Sequence, residues 1–364
     1  MKVSELVSYL DKLAPYSYQE SYDNSGLLVG NPNSEIKGVL VALDCIESVL
    51  DEAIAIDANV IVTHHPIIFK GLKRITGSNY IERVVQKAIK YDLNLISIHT
   101  NLDNMSYGVN KIIADKIGLQ NTKILLPKEG GLLKLQVYIP KTHSDTLRTA
   151  LAEAGAGQIG DYDACSFSVS GMGRFRPNEN ANPFIGKSGD LEQVEEEKVE
   201  AIIPQHALGT VLAAMKKNHP YEEVAYDVIA LNNTNEQIGS GMVGELEVEE
   251  DALVFLKRIK ELFGAGAIRY TAIHSSSVKR IAVCGGSGSF LLGAAKKARA
   301  DVFITADFKY HEFFDAENRI IIADIGHFES EQFTSHWLVA QMQKNFTNFA
   351  VRLTSVNTNP INYL

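Results

Sequence analysis

The chain has little of what several common chemistries require. Of its 364 residues only three are cysteine, Cys45, Cys165 and Cys284. They are odd in number and far apart, without the paired spacing that binds zinc or runs a redox cycle, so free thiols are expected. Positive charge is in deficit: 35 Lys and Arg stand against 44 Asp and Glu, a formal net charge of -9. That balance disfavours a sequence-independent grip on DNA or RNA, which depends on clustered cations displacing counterions. No stretch offers the roughly eighteen uninterrupted apolar residues of a spanning helix, so no membrane segment is expected. Residues 1–11 mix charges with helically spaced apolar positions, which describes an amphipathic helix and not a secretion signal. A cytoplasmic location follows as the expectation.

What the chain does have is metal-ligating residue types where strands end. Val60-Ile61-Val62-Thr63 runs into His64-His65-Pro66. Neighbours in a regular strand point to opposite faces, but Pro66 cannot continue a ladder, so both imidazoles can turn toward one edge of the sheet. A histidine pair alone is a weak signal. Two further apolar runs end the same way, however: residues 94–98 lead into His99-Thr100-Asn101-Leu102-Asp103, and residues 319–326 lead into His327-Phe328-Glu329-Ser330-Glu331. In parallel α/β sheets ligands bind beyond the carboxyl ends of the strands, where these three ends would meet. A helix beginning near His327 stacks His327 and Glu331 on one face, with Cβ atoms roughly 5–6 Å apart.

The length calls for more than one domain. Strand 38–44, helix 46–56 and the His64-His65 strand form a βαβ unit, and a helix over 80–91 precedes the strand that ends at Ile98. A mostly parallel sheet covered on both faces is expected. The alternation breaks after about Pro127, where strands over 132–139, 165–170, 199–203 and 224–231 and helices over 144–154 and 206–217 follow the order βαββαβ. That is the split βαβ, or ferredoxin-like, arrangement. The division expected is 1–128 and 241–364 as two halves of an α/β core, with 129–240 inserted. Residues 171–189 read as a long loop and the acidic run 190–200 as a solvated face. The turn Gly285-Gly286-Ser287-Gly288 is either an anion cradle or a tight turn without ligand.

Taken with Tyr22-Asp23-Asn24-Ser25-Gly26-Leu27 and with Ile304-Thr305-Ala306-Asp307 and His311, these motifs resemble the GTP cyclohydrolase 1 type 2 homologues, also called the NIF-three-like proteins, over nearly the whole chain. The resemblance implies two similar α/β lobes around a dinuclear metal site, with a PII-like or CutA-like insertion. It maps the ligands onto His64, His65, Asp103, His327 and Glu331. His99, Asp307 and His311 fall outside that set, as neighbours that orient ligands or substrate or as ordinary structural residues. Tyr22 stands where the family usually has Trp, and Ala306 where it usually has Gly, a substitution that would be strained if the position required a positive φ.

Two divalent ions per chain are implied, zinc first, with manganese, iron, cobalt or nickel compatible with imidazole and carboxylate ligands. Their charge exceeds that of Asp103 and Glu331, which favours an anionic small molecule as partner. The activity implied is metal-dependent hydrolysis of a nucleotide or another phosphorylated small molecule. The alternative is a metal-storage or metal-delivery protein, or a regulatory scaffold, without turnover. A ring-shaped homohexamer is implied as well.

Overall fold

A computed structural model describes residues 1–364 as two compact units, Met1–Pro127 with Glu236–Leu364, and Lys128–Asn235. The first begins with α1 (Val3–Leu13), whose Val3, Leu6 and Leu10 recur at helical spacing and are fully buried. There follow β1 (Gly26–Val29), β2 (Gly38–Ala42), α2 (Glu47–Ala55), β3 (Val60–Thr63), α3 (Tyr80–Lys90), β4 (Asn94–Ser97), the one-turn α4 (Thr100–Asp103), α5 (Val109–Ile117) and β5 (Gln120–Lys128). The second unit contains β6 (Leu132–Pro140), α6 (Ser144–Glu153), β7 (Phe167–Phe175), β8 (Glu192–Pro204), α7 (Leu208–Asn218) and β9 (Tyr226–Ala230). The first unit resumes with β10 (Asn235–Asp251), α8 (Ala252–Leu262), β11 (Arg269–Tyr270), β12 (Ser277–Ser287), α9 (Leu292–Lys297), β13 (Val302–Ala306), β14 (Ile321–Asp324), α10 (His327–Glu331), α11 (Phe333–Asn345) and β15 (Ala350–Leu353).

The first unit holds two sheets, of order β1-β4-β3-β2-β15 and β11-β14-β13-β12-β10-β5. In each, three consecutive strands run parallel (β2, β3, β4 and β12, β13, β14), and the strand beside the last of them is antiparallel (β1 and β11). The two halves therefore repeat one topology. Alternate residues bury opposite faces: Val39, Val41, Val60, Val62 and Ile96 join one core, whereas Leu40, Ala42, Ile61 and Leu95 pack on α2 and α3. The second sheet does the same, with Ile281, Val283, Val302 and Ile304 on one side and Ala282 and Phe303 on the other. Burial on both faces is why these strands read as continuous apolar runs. One core takes the inner faces of both sheets together with α1, α5, α8 and α11. The carboxyl ends of β3, β4, β13 and β14 lead to His64, His99, Asp307 and His327.

The second unit follows β-α-β-β-α-β in an antiparallel sheet of order β7-β8-β6-β9. Leu135, Val137, Ile139, Val199 and Ile203 from its strands meet Leu147 and Leu151 of α6 and Val211 and Met215 of α7. Both hairpin strands are longer than the pattern indicates. Gly171 and Gly173, which read as loop, lie within β7, where a side chain at Gly173 would collide with the Glu196 carboxylate. The flexible Glu196 side chain would have to move aside for a larger residue there, and the acidic run over 192–200 is strand throughout.

The segment before α3 is tied down by one carboxylate. Asn79 caps the helix through Glu82 N, and Glu82 in turn accepts from Thr76 N (2.8 Å), Thr76 Oγ1 (2.8 Å), Ser78 N (3.1 Å), Ser78 Oγ (3.0 Å) and Asn79 Nδ2 (3.0 Å). The donors on Thr76 first, then those on Ser78, hold the Glu82 carboxyl down at about 2. A lowered carboxyl pKa adds stability that is whole above its ordinary value of 4.5 and is lost as the pH falls toward about 2. Glu82→Gln should therefore melt below the wild type at pH 7, and the gap should narrow at pH 3. An equal gap in thermal melts at both pH values would assign the effect to packing.

Candidate metal centre

Beyond Thr63 the backbone still bonds to the loop after β2, with His65 N donating to Leu43 O at 3.0 Å, and the Thr63 hydroxyl donates to His65 O at 2.8 Å. The chain then turns at Pro66. The rings of His64 and His65 come to lie 5.0 Å apart.

His64 is fully buried, and its Nδ1 lies 2.8 Å from Ile98 O. A carbonyl only accepts, so Nδ1 carries the proton and Nε2 presents a lone pair. That lone pair faces Asp103 Oδ1 at 3.4 Å and Glu331 Oε1 at 3.9 Å. His64 Nε2 and Asp103 Oδ1 are both buried without a hydrogen-bond partner. Two acceptors held face to face away from water are costly unless something positive stands between them. The donor set fits a cation.

The other histidines repeat the arrangement. His65 Nδ1 is 2.7 Å from Asp44 Oδ1, which leaves Nε2 2.9 Å from Glu331 Oε2. His327 Nδ1 is 2.6 Å from Asp307 Oδ2, and its Nε2 lies 3.1 Å from Glu331 Oε2 and 3.3 Å from His65 Nε2. His99 Nδ1 is 2.7 Å from Asp23 Oδ1, with its ring 5.2 Å from His64 and 5.4 Å from His65. Oxygen partners on Nδ1 that orient Nε2 are the usual support of metal-binding imidazoles. Three overlapping groups could hold a metal ion: His64, Asp103 and Glu331; His65, His327 and Glu331; and His64, His65 and His99, the ligand atoms of each lying within 4.8 Å of one another.

His99, set outside the ligands by the motif match, thus joins the cluster. Topology gives the reason: His99 and Asp103 flank α4 after β4 as His327 and Glu331 span α10 after β14, each pair four residues apart at matching strands of the two sheets. Asp307 braces His327. His311 lies apart from the three groups, exposed against the rings of Tyr310 and Phe314. The positive φ falls one residue after Ala306, on Asp307 at 58°, a residue type that enters that region more readily.

The glycine-rich turn packs on the same cluster. A Cβ on Gly286 would lie 2.5 Å from Glu331 Oε1 and 3.1 Å from His327 Nε2. The N–H groups of Gly285 and Gly286 are spent on Asn110 Oδ1 and Ser330 Oγ, both at 3.0 Å. Those two N–H groups are therefore not offered to an anion, and Gly286 combines its close approach with a φ of 58°. Three supports escape a reading of the sequence. Asp44 ends a strand, the same signal that marks His64, and Asp23 lies inside a matched motif. Thr358, whose hydroxyl donates to Asp44 Oδ2 at 2.6 Å, has no sequence signal at all.

The cluster attracts positive charge strongly. Burial pushes the Asp103 carboxyl up to about 7, with the Glu331 carboxylate adding to the shift. Burial opposes charge on both rings, yet Asp44 and Glu331 raise His65 to about 9, and Glu331 and Asp307 raise His327 to about 11. Glu331 stays well below the ordinary carboxylate range despite its burial, chiefly through His327.

The model of the family Duf34/NIF3 (NGG1p interacting factor 3) matches residues 1–360. A Halalkalibacterium halodurans protein named GTP cyclohydrolase 1 type 2 homolog is 39% identical, covering 99% of this chain and 98% of its own. The Bacillus subtilis protein of the same name is 37% identical over the same shares. Among solved structures, the Bacillus cereus protein related to NIF3 has a TM-score of 0.89 at 36% identity, covering 100% of this chain and 99% of its own.

A raised histidine pKa contributes stability that is whole below the unfolded value, 6.5, and is lost as the pH rises through the folded one. Metal-stripped protein kept in EDTA should therefore lose thermal stability between about pH 7 and pH 10, as His65 and His327 deprotonate through about 9 and about 11. Glu331→Gln removes the carboxylate common to both and should flatten the slope. A melting temperature that is level or rises over this range would contradict the charge arrangement described.

Proposed function

The chain belongs to the Duf34/NIF3 family, and from that membership together with the convergence of imidazole and carboxylate atoms we propose that it is a dinuclear metal protein and a metal-dependent hydrolase of nucleotides or other phosphorylated small molecules. The observation that carries the reading is the buried, unpartnered opposition of His64 Nε2 and Asp103 Oδ1. His64, Asp103 and Glu331 would hold one ion, and His65, His327 and Glu331 the other. Glu331 turns Oε1 toward His64 and Oε2 toward His65 and His327, one oxygen for each position. His99 stands beside the first group.

Ile98 O, Asp44 and Asp307 keep the Nε2 lone pairs of their histidines aimed inward, so the donors are arranged before any ion arrives. Bound divalent ions would supply acidified water near neutral pH and a clamp on attacking and leaving oxygens. Zinc suits the donor set, as do manganese, iron, cobalt and nickel. Two carboxylates against two dications leave a positive excess, which selects anionic ligands. The name carried by the relatives makes GTP the first compound to test. A homohexamer, a PII-like or CutA-like second unit and a cytoplasmic location belong to the same proposal.

Elemental analysis of zinc- or manganese-loaded, dialysed protein should find about two ions per chain. Asp103→Ala and Glu331→Ala should lose most of that content. His99→Ala should keep it while binding about 10–100-fold more weakly. Loaded protein screened against phosphate esters, cyclic nucleotides and GTP should turn over repeatedly at catalytic concentration. Metal exchange with a chelator or partner and no turnover would favour storage or delivery, and a wild type without metal would remove the reading.

A further inference from the structure

Beside the centre stands a pair of rings that the fold does not use. Tyr22 is 62% exposed and Phe69 41% exposed, and their centroids lie 6.1 Å apart at 52°. Neither belongs to a buried core cluster. They are linked ring by ring to the cluster: Phe69 is 6.3 Å from His99, which is 5.2 Å from His64 and 5.4 Å from His65. Exposure rises along this series, from fully buried His64 through 17% at His99 to the two outer rings. Tyr22 is also close enough to Asp103 for that carboxylate to raise its pKa, after the larger effects of burial, Glu20 and Asp23.

The loops that present the rings are locked together. Asn24 Nδ2 donates to Ile68 O at 2.6 Å, joining the residue two after Tyr22 to the one before Phe69. Asp23, next to Tyr22, holds His99 Nδ1 at 2.7 Å and accepts from Thr100 N at 3.0 Å. Aromatic side chains kept in water yet fixed in place lose little freedom when a flat partner lies against them. Lys70, next in the chain, is exposed and adds a cation on the same loop.

We infer that Tyr22 and Phe69 form the ring-binding wall of the ligand site, so that the ligand is an anion carrying a planar heteroaromatic ring, its phosphate at the histidine–carboxylate cluster and its ring on this wall. The inference rests on the proposed dinuclear centre and narrows its substrate class. A phosphorylated sugar or aliphatic ester reaches the cluster and leaves the wall empty. A nucleotide occupies both. Stacking of a base on an aromatic side chain is worth about 5- to 150-fold in affinity.

Calorimetric titration of zinc-loaded wild type with guanosine monophosphate and with ribose 5-phosphate reads the wall directly. The nucleotide should bind about 5- to 150-fold more tightly. Tyr22→Ala with Phe69→Ala should abolish that preference, leaving ribose 5-phosphate affinity and zinc content as in the wild type, and Tyr22→Phe should retain it. A preference that survives the double substitution overturns the wall while the dinuclear centre stands. Wild type that binds zinc but neither phosphate overturns the anion-binding reading of the centre and the wall with it. Loss of preference only together with a fall in molar mass by light scattering overturns the inference by making the pair a contact between copies of the chain.

Discussion

The buried meeting of His64 Nε2 and Asp103 Oδ1 is the constraint from which the rest of the site follows. Neither atom has a hydrogen-bond partner, and the Ile98 carbonyl prevents His64 from turning its proton inward. A protein gains nothing by holding two lone pairs together in the dark of its core, where each has lost its water. The arrangement persists because the surroundings determine it fully: β3 and β4 are paired in register, His64 O accepts from Ser97 Oγ at 2.9 Å, and Glu331 approaches from the other half. The fold stores an unmet demand for positive charge at this point.

That demand is assembled from both repeats. Each contributes a strand leading into a one-turn helix with a histidine and an acid four residues apart, and each histidine leans on an aspartate from a neighbouring loop. The segment after β15 then ties the halves to each other. Thr358 bonds to Asp44, the support of His65, and Asn359 Nδ2 donates to Glu329 Oε1 at 3.0 Å, within the helix that carries His327 and Glu331. Packing of both sheets into a common core brings the repeats together, and these two side chains join them beside His65 and Glu331.

Much of this was legible in the residues. β-branched runs ending in histidine placed three of the four strand ends, because strands buried on both faces have no polar alternation to hide such an ending. The i,i+4 pair of His327 and Glu331 was equally plain, since helical spacing is local. Thr358 was not legible, because its bond to Asp44 is a contact across 314 positions of sequence with no pattern near it. Gly171 and Gly173 misled for a related reason. Glycine marks a turn in composition, but these two lie within β7, and only the fold distinguishes the two cases.

The same distinction bears on His99. Its motif sets it apart from the ligands, whereas the repeat makes it the counterpart of His327. The difference between them lies in surroundings: His327 is 39% exposed at one edge of the cluster, while His99 is 17% exposed with the Phe69 ring set edge-to-face at 6.3 Å. One repeat thus supplies the more closed side, with His64 at its base and the outer rings beyond His99. A duplicated fold with identical histidine–acid spacing can in this way place a cluster that is nearly symmetric in its donors and unequal in its exposure.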